Sequence, residues 1–326
     1  MLANSFAVFA LSLLLEVFAP APAPFLPYSL PEPGWQGEQP RFDPGMLATE
    51  HFDIRYAPEE AGSWVELAAV LESSYRAFLQ IFSIMGFEVT DPPEALGWHC
   101  FNQRADYERY CERTACALAW LDSHYSTRSN QVILFQQPLQ EGQRRDYRQI
   151  THEAAHQMAF NCGLMRRGVF YPFWLAEGLA TNFERDEDGP AFRLPENAMR
   201  RDGLTQRVME GGLLELADFI TVTAITPDLR ASASELYDES WGLFRFLLLR
   251  HPVELRRYMA RLRNHPPATG DELALLDGFC ELFGDLAPLE REWHDFAVAL
   301  AHGAPDQPFA AGPALGQGAQ RRAAGH

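Results

Sequence analysis

Thr151-His152-Glu153-Ala154-Ala155-His156 brings two imidazoles and a carboxylate into one short stretch of chain. At 3.6 residues per turn, helical backbone offsets His152 and His156 by only about 40°, so both rings can reach one metal ion. Glu153 lies about 100° round the turn from His152. From there its carboxylate can act on a water at the metal but faces too far away to be a ligand. This is the arrangement of metal-assisted hydrolysis, and a catalytic zinc needs three protein ligands with one position left for water. A third donor must therefore come from elsewhere in the chain.

The extended metzincin pattern HExxHxxGxxH fails here, because Ala159 stands at the glycine position and Cys162 at the final histidine. Helical geometry carries Cys162 away from the histidine pair. Glu177, within Trp174-Leu175-Ala176-Glu177-Gly178-Leu179-Ala180-Thr181, suits the role better. The sequence predicts a helix after Pro172 whose Leu175, Leu179 and Phe183 form a buried stripe, with Glu177 on another face. Gly178 costs such a helix about 1 kcal/mol relative to alanine, which a close approach to the motif helix would offset. Taken alone, Glu177 reads as a glutamate solvating an amphipathic helix. Next to HExxH it is the best available third donor.

HExxH followed by Trp-Leu-x-Glu-Gly-Leu-Ala resembles the gluzincin, or peptidase-MA-like, metallopeptidases, and most closely a family of bacterial putative secreted metalloproteases. The likeness extends to Glu50-His51-Phe52-Asp53-Ile54-Arg55 and to Tyr237-Asp238-Glu239-Ser240-Trp241-Gly242-Leu243, covering about residues 48 to 250. It implies a zincin-like α+β fold and a Zn2+ ion held by His152, His156 and Glu177. It further implies that Glu153 is the general base of a zinc-activated water, passing the proton to the leaving amine. Tyr237 would donate to the tetrahedral oxyanion, although Ser240 replaces a glycine common in that setting; the residue also reads as an amphipathic tyrosine at a helix start. Thr181 stands where some relatives carry an acidic partner for a histidine, which leaves Asn161, Asn182 or Glu184 for that task. The Gly-rich acidic motif by which aminopeptidases hold a substrate amine is missing, so the implied activity is that of an endopeptidase on peptides or proteins. Two other classes stay open. One is a gluzincin-shaped binding or envelope module with structural zinc, against which the retained Glu153 argues; the other is a zinc hydrolase of non-peptide amides.

Positioning these groups calls for an N-terminal lobe, residues 46–165, with a small mixed sheet and the motif helix. The alternation in His51–Tyr56 predicts a half-buried strand. Trp64, Leu67, Leu71, Tyr75, Phe78 and Phe82 predict a long amphipathic helix. A strand is expected over Leu96–Phe101, a short helix over Gln103–Tyr110, and a strand at Val132–Phe135 whose edge would receive an extended peptide. The motif helix should run from about Asp146 to Asn161 and stop at Gly163, with Ile150, Ala154 and Met158 as its apolar stripe. Residues 166–302 should form a mostly helical lobe, including Leu236–Arg250, Pro252–Arg263 and Leu286–His302.

The 326 residues carry 44 acidic and 27 basic side chains, a net charge of −17, and every basic residue is arginine. Nucleic-acid binding, which needs a basic footprint, is disfavoured. The apolar run Phe6–Phe18 followed by Ala19-Pro20-Ala21-Pro22-Ala23 resembles a secretory signal over residues 1–23, and so an exported, periplasmic or secreted bacterial protein. That run is too short to span a membrane. A Pro-rich linker is expected over 24–45 and a disordered tail over 303–326. Among the five cysteines, Cys100 could pair with Cys111 or Cys116, or all could be buried thiols. Glu184, Asp186, Glu187 and Asp188 read as a solvated acidic loop rather than a calcium site.

Overall fold

The computed structural model describes residues 45–57, 64–114, 122–137, 145–185, 194–223, 233–267 and 271–302. The signal segment, nearly all of the linker, Cys116, Asp186–Asp188 and the tail lie outside the described residues.

Five strands form one mixed sheet in the order β1-β2-β3-β5-β4. β1 (Gly45–Ala48) pairs antiparallel with β2 (Phe52–Tyr56), and β2, β3 (Leu96–Phe101) and β5 (Gln131–Phe135) run parallel. β4 (Ser123–Ser126) closes the order antiparallel to β5. Parallel neighbours cannot be joined by a tight turn. Helix α1 (Val65–Ile84) makes the crossover from β2 to β3, and α2 (Arg104–Arg113) lies between β3 and β4.

Side-chain alternation divides the sheet into two buried faces. Phe52, Ile54, Trp98, Val132 and Leu134 enter the main core with Leu67, Leu71, Phe78 and Phe82 of α1. Ile133 and Phe135 turn the other way, onto Tyr107, Tyr110 and Cys111 of α2. Burial on both faces explains the unbroken apolar run of β5. The expected peptide-receiving edge at Val132–Phe135 is not there: β3 covers one side of β5 and β4 the other. Among the described residues, β1 and β4 are the outermost strands of the sheet. β4, with the sequence Ser-His-Tyr-Ser, gave no strand signal because all four residues are buried and none is aliphatic.

The motif helix α3 (Arg148–Asn161) lies against the sheet, and every residue from Ile150 to Phe160 is buried. Its rotation is fixed from one side by Gln157. The Trp98 indole donates to Gln157 Oε1 at 2.8 Å, and Gln157 Nε2 donates to the carbonyls of Gly97 and Asn130, each at 3.1 Å. Gly163 follows the helix at φ +92°, the left-handed stop expected of it.

From Phe173 onward the described elements are helices: α4 (Phe173–Thr181), α5 (Ala198–Glu210), α6 (Leu216–Phe219), α7 (Ala233–Arg250), α8 (Pro252–Asn264), α9 (Glu272–Phe283) and α10 (Leu286–Ala301). The protein is thus an α+β fold with a small mixed sheet and mostly helical content, as expected. None of the described helices is long and apolar enough to cross a membrane.

Gly178 does permit a close helix approach, but to α7 instead of the motif helix. A methyl group there would run into the Ser240 carbonyl oxygen and sit 2.8 Å from Phe244 Cβ. Gly178→Ala is therefore expected to destabilise by roughly 1–3 kcal/mol through overpacking, despite a helix-propensity gain of about 1 kcal/mol. Urea unfolding measures it; a variant more stable than wild type contradicts this packing.

Candidate metal centre

Helices α3 and α4 bring together the three side chains that their sequences offered as ligands. His152 Nε2 and His156 Nε2 are 3.1 Å apart, and Glu177 Oε2 is 3.2 Å from the first and 3.5 Å from the second. All three residues are buried. Donors bound tetrahedrally at about 2.0–2.1 Å stand about 3.3–3.4 Å from one another, so the triangle has the dimensions of one face of such a site. Glu177 Oε2 is also a buried acceptor without a hydrogen-bond partner, an arrangement that costs stability unless something binds there. His152, His156 and Glu177 form a group that can hold a metal ion.

Glu184 fixes the chemistry of His152. Its Oε1 lies 3.0 Å from His152 Nδ1. A carboxylate at neutral pH only accepts, so Nδ1 carries the proton and the Nε2 lone pair is left for the triangle. Glu184 is itself held by Arg200, whose Nη2 donates to Oε1 at 2.9 Å and Nε to Oε2 at 3.2 Å, and by Asn197 Nδ2 at 2.7 Å. The other arm of Arg200 donates to Asp238 Oδ1 at 3.1 Å. Of the two expectations for Glu184, a solvated acidic loop and a partner for a histidine, the second holds: it is buried against His152. The other two candidates for that task face elsewhere. Asn161 exchanges hydrogen bonds with Asn130, and Asn182 donates to the carbonyls of Gly178 and Trp241.

Burial opposes charge on both glutamates, yet each stays ionised. His156 and His152 bring Glu177 down to about 2, and Arg200 with His152 does the same for Glu184. Burial also works against an imidazolium at His152, but the Glu177 and Glu184 carboxylates outweigh it and raise the group to about 10. A proton and a metal thus compete for one lone pair. Metal affinity should climb as pH rises from 6 to 8, by up to tenfold per unit, because His152 gives up about one proton per ion bound. Metal titrations across that range check this, and a dissociation constant independent of pH contradicts it.

Glu153 does not belong to the triangle, in keeping with its helical offset, and its carboxylate meets β4. Ser123 Oγ donates to its Oε1 at 3.0 Å and the Tyr125 backbone N–H to its Oε2 at 2.8 Å. Tyr237, in α7, is buried with its ring centroid 6.3 Å from that of His152 and its hydroxyl without a hydrogen-bond partner. Burial, reinforced by the Glu177 charge, pushes its pKa well above that of an ordinary phenol. Its O–H remains a donor at any physiological pH. Cys162 is buried outside the donor triangle.

A second grouping of histidine and carboxylates, Glu50, His51 and Glu72, has another explanation. Glu72 already accepts from Thr49 Oγ1 at 2.7 Å and the His51 backbone N–H at 2.9 Å, and lies 2.8 Å from His51 Nδ1. It tethers the entry of β2 to α1.

Residues 146–269 match a family model described as "Protein of unknown function (DUF1570)". The matched stretch contains the whole donor triangle, Glu153, Glu184, Arg200 and Tyr237, whereas Ser123 and Tyr125 precede it. None of the curated proteins matches the chain.

Proposed function

We propose that this protein is an exported zinc endopeptidase of gluzincin type, with a zincin-like fold. The observation that carries the reading is the donor triangle of His152, His156 and Glu177 together with Glu153 one residue along the same helix, out of the ligand set. A structural metal site has no need of a base in that position. Two imidazoles and one carboxylate suit zinc, and three protein ligands are the number a catalytic zinc takes. When bound, the metal would acidify a water and polarise a substrate carbonyl.

The remaining chemistry belongs to the chain. Glu153 accepts the proton of the attacking water at a carboxylate oxygen and returns it to the amine nitrogen as the C–N bond breaks. Tyr237, held protonated by burial, offers its O–H to the oxyanion of the tetrahedral intermediate. Glu184 keeps His152 in the tautomer that presents Nε2.

Incubating the zinc-loaded protein with a complex peptide library, and reading new termini by mass spectrometry, tests this reading. Cleavage that a chelator abolishes and zinc restores is the expected result. Stoichiometric zinc without cleavage of any peptide would favour a binding module with structural zinc.

A further inference from the structure

The hydrogen bonds around Glu153 specify more than a base beside a metal centre. Ser123 is fully buried, and its hydroxyl joins two side chains of α3. Gln149 Nε2 donates to Ser123 Oγ at 2.8 Å, and Oγ lies 3.0 Å from Glu153 Oε1. A hydroxyl has one proton. Because the Gln149 amide nitrogen can only donate, the Ser123 proton is turned toward Glu153. The second carboxylate oxygen is engaged at 2.8 Å by the Tyr125 N–H, two residues further along the same strand.

This N–H lies on the side of β4 turned away from β5. Phe135 N–H donates to the Asp122 carbonyl, and ladder pairing alternates along an antiparallel strand. The outward-facing groups are thus those of Ser123 and Tyr125. Two donors from alternate residues of one strand hold the two oxygens of one carboxylate, which stops rotation about its terminal bond. Each oxygen keeps a further lone pair for a proton.

We propose that Ser123 is the positioning residue of Glu153: its hydroxyl, oriented by Gln149, and the Tyr125 N–H clamp the carboxylate in the single orientation in which it meets water and substrate. The inference rests on the hydrolytic reading of Glu153. Ångström-scale misplacement of a reacting group costs up to about 100-fold in rate, so Ser123→Ala should lower kcat by about 10- to 100-fold. KM and zinc content should be unchanged, since neither donor touches the ligand triangle. Gln149→Met leaves the hydroxyl in place but free to rotate, and should lower kcat by only a few-fold.

Crystal structures of full-length wild type, Ser123→Ala and Gln149→Met provide a readout independent of turnover. The wild type should show one Glu153 orientation, and Ser123→Ala a rotated or divided one. An unmoved carboxylate in Ser123→Ala, a kcat within twofold of wild type, or a loss expressed in KM or zinc content would overturn the proposal. A wild type that cleaves no peptide would defeat the hydrolytic reading instead, and the carboxylate orientation would still decide whether Ser123 holds Glu153.

Discussion

Glu153→Gln should lower peptide hydrolysis by about 10²–10⁴-fold, the range a positioned general base contributes, while zinc content stays at the wild-type level. The amide preserves the shape of the side chain but has no basic oxygen for the proton of an attacking water. It cannot later return that proton to the departing nitrogen. Retention of zinc follows from the geometry, because Glu153 hydrogen-bonds to Ser123 and Tyr125 of β4 and does not belong to the donor triangle. The stability cost should be small. The amide oxygen can still accept from one of the two donors, and only the other bond is lost. Steady-state kinetics beside metal analysis separate the outcomes. A fall in zinc that parallels the fall in rate would make Glu153 part of the ligand set, contrary to the geometry.

Arg200→Leu should produce the largest loss of stability of any single change near the centre, roughly 3–5 kcal/mol, as when one partner of a buried ion pair is removed. The guanidinium serves two buried carboxylates unequally. Against the cost of burial, Arg200 and His152 bring Glu184 down to about 2, whereas burial, only partly offset by Arg200, pushes Asp238 up to about 7. Glu184 is therefore the charge left exposed to the loss. Its folded value of about 2 against an ordinary 4.5 means that this stabilisation is fully present above about pH 5. It disappears as pH falls toward 2, so the gap between wild type and variant should narrow in acid. Glu184 also orients His152, and loss of such an outer partner typically weakens metal binding 10- to 100-fold. Urea unfolding in chelator and zinc titration measure the two effects independently. A variant within 1 kcal/mol of wild type at pH 7 would mean that Glu184 draws its charge from elsewhere.

The metal centre was legible where it is local and opaque where it is not. HExxH and the Glu177 helix carry their spacing in the chain itself, and helical periodicity was enough to place Glu153 outside the ligand set. The burial of α1 followed in the same way from Leu67, Leu71, Tyr75, Phe78 and Phe82. Ser123, by contrast, meets Glu153 only because β4 pairs with β5 at the edge of the sheet, and four buried residues without an aliphatic one give no period-2 signal. Glu184 was legible only as one of three candidate partners for a histidine, because the acidic run it opens reads as solvated until a buried arginine from a later helix is found beside it. No pattern in the sequence links Arg200 to that glutamate. Gly178 signalled close packing without naming the partner, since a glycine reports missing volume but not what fills it.

The central claim, that His152, His156 and Glu177 share one metal ion, is tested most directly by counting zinc. Wild type, Glu153→Gln, His156→Ala and Glu177→Ala would each be loaded with zinc, dialysed and analysed by elemental mass spectrometry, with circular dichroism to confirm folding. About one ion per chain in the first two proteins, and close to none in the folded His156→Ala and Glu177→Ala variants, is the expected result. Zinc absent from the wild type, or equally retained by both ligand variants, would contradict it.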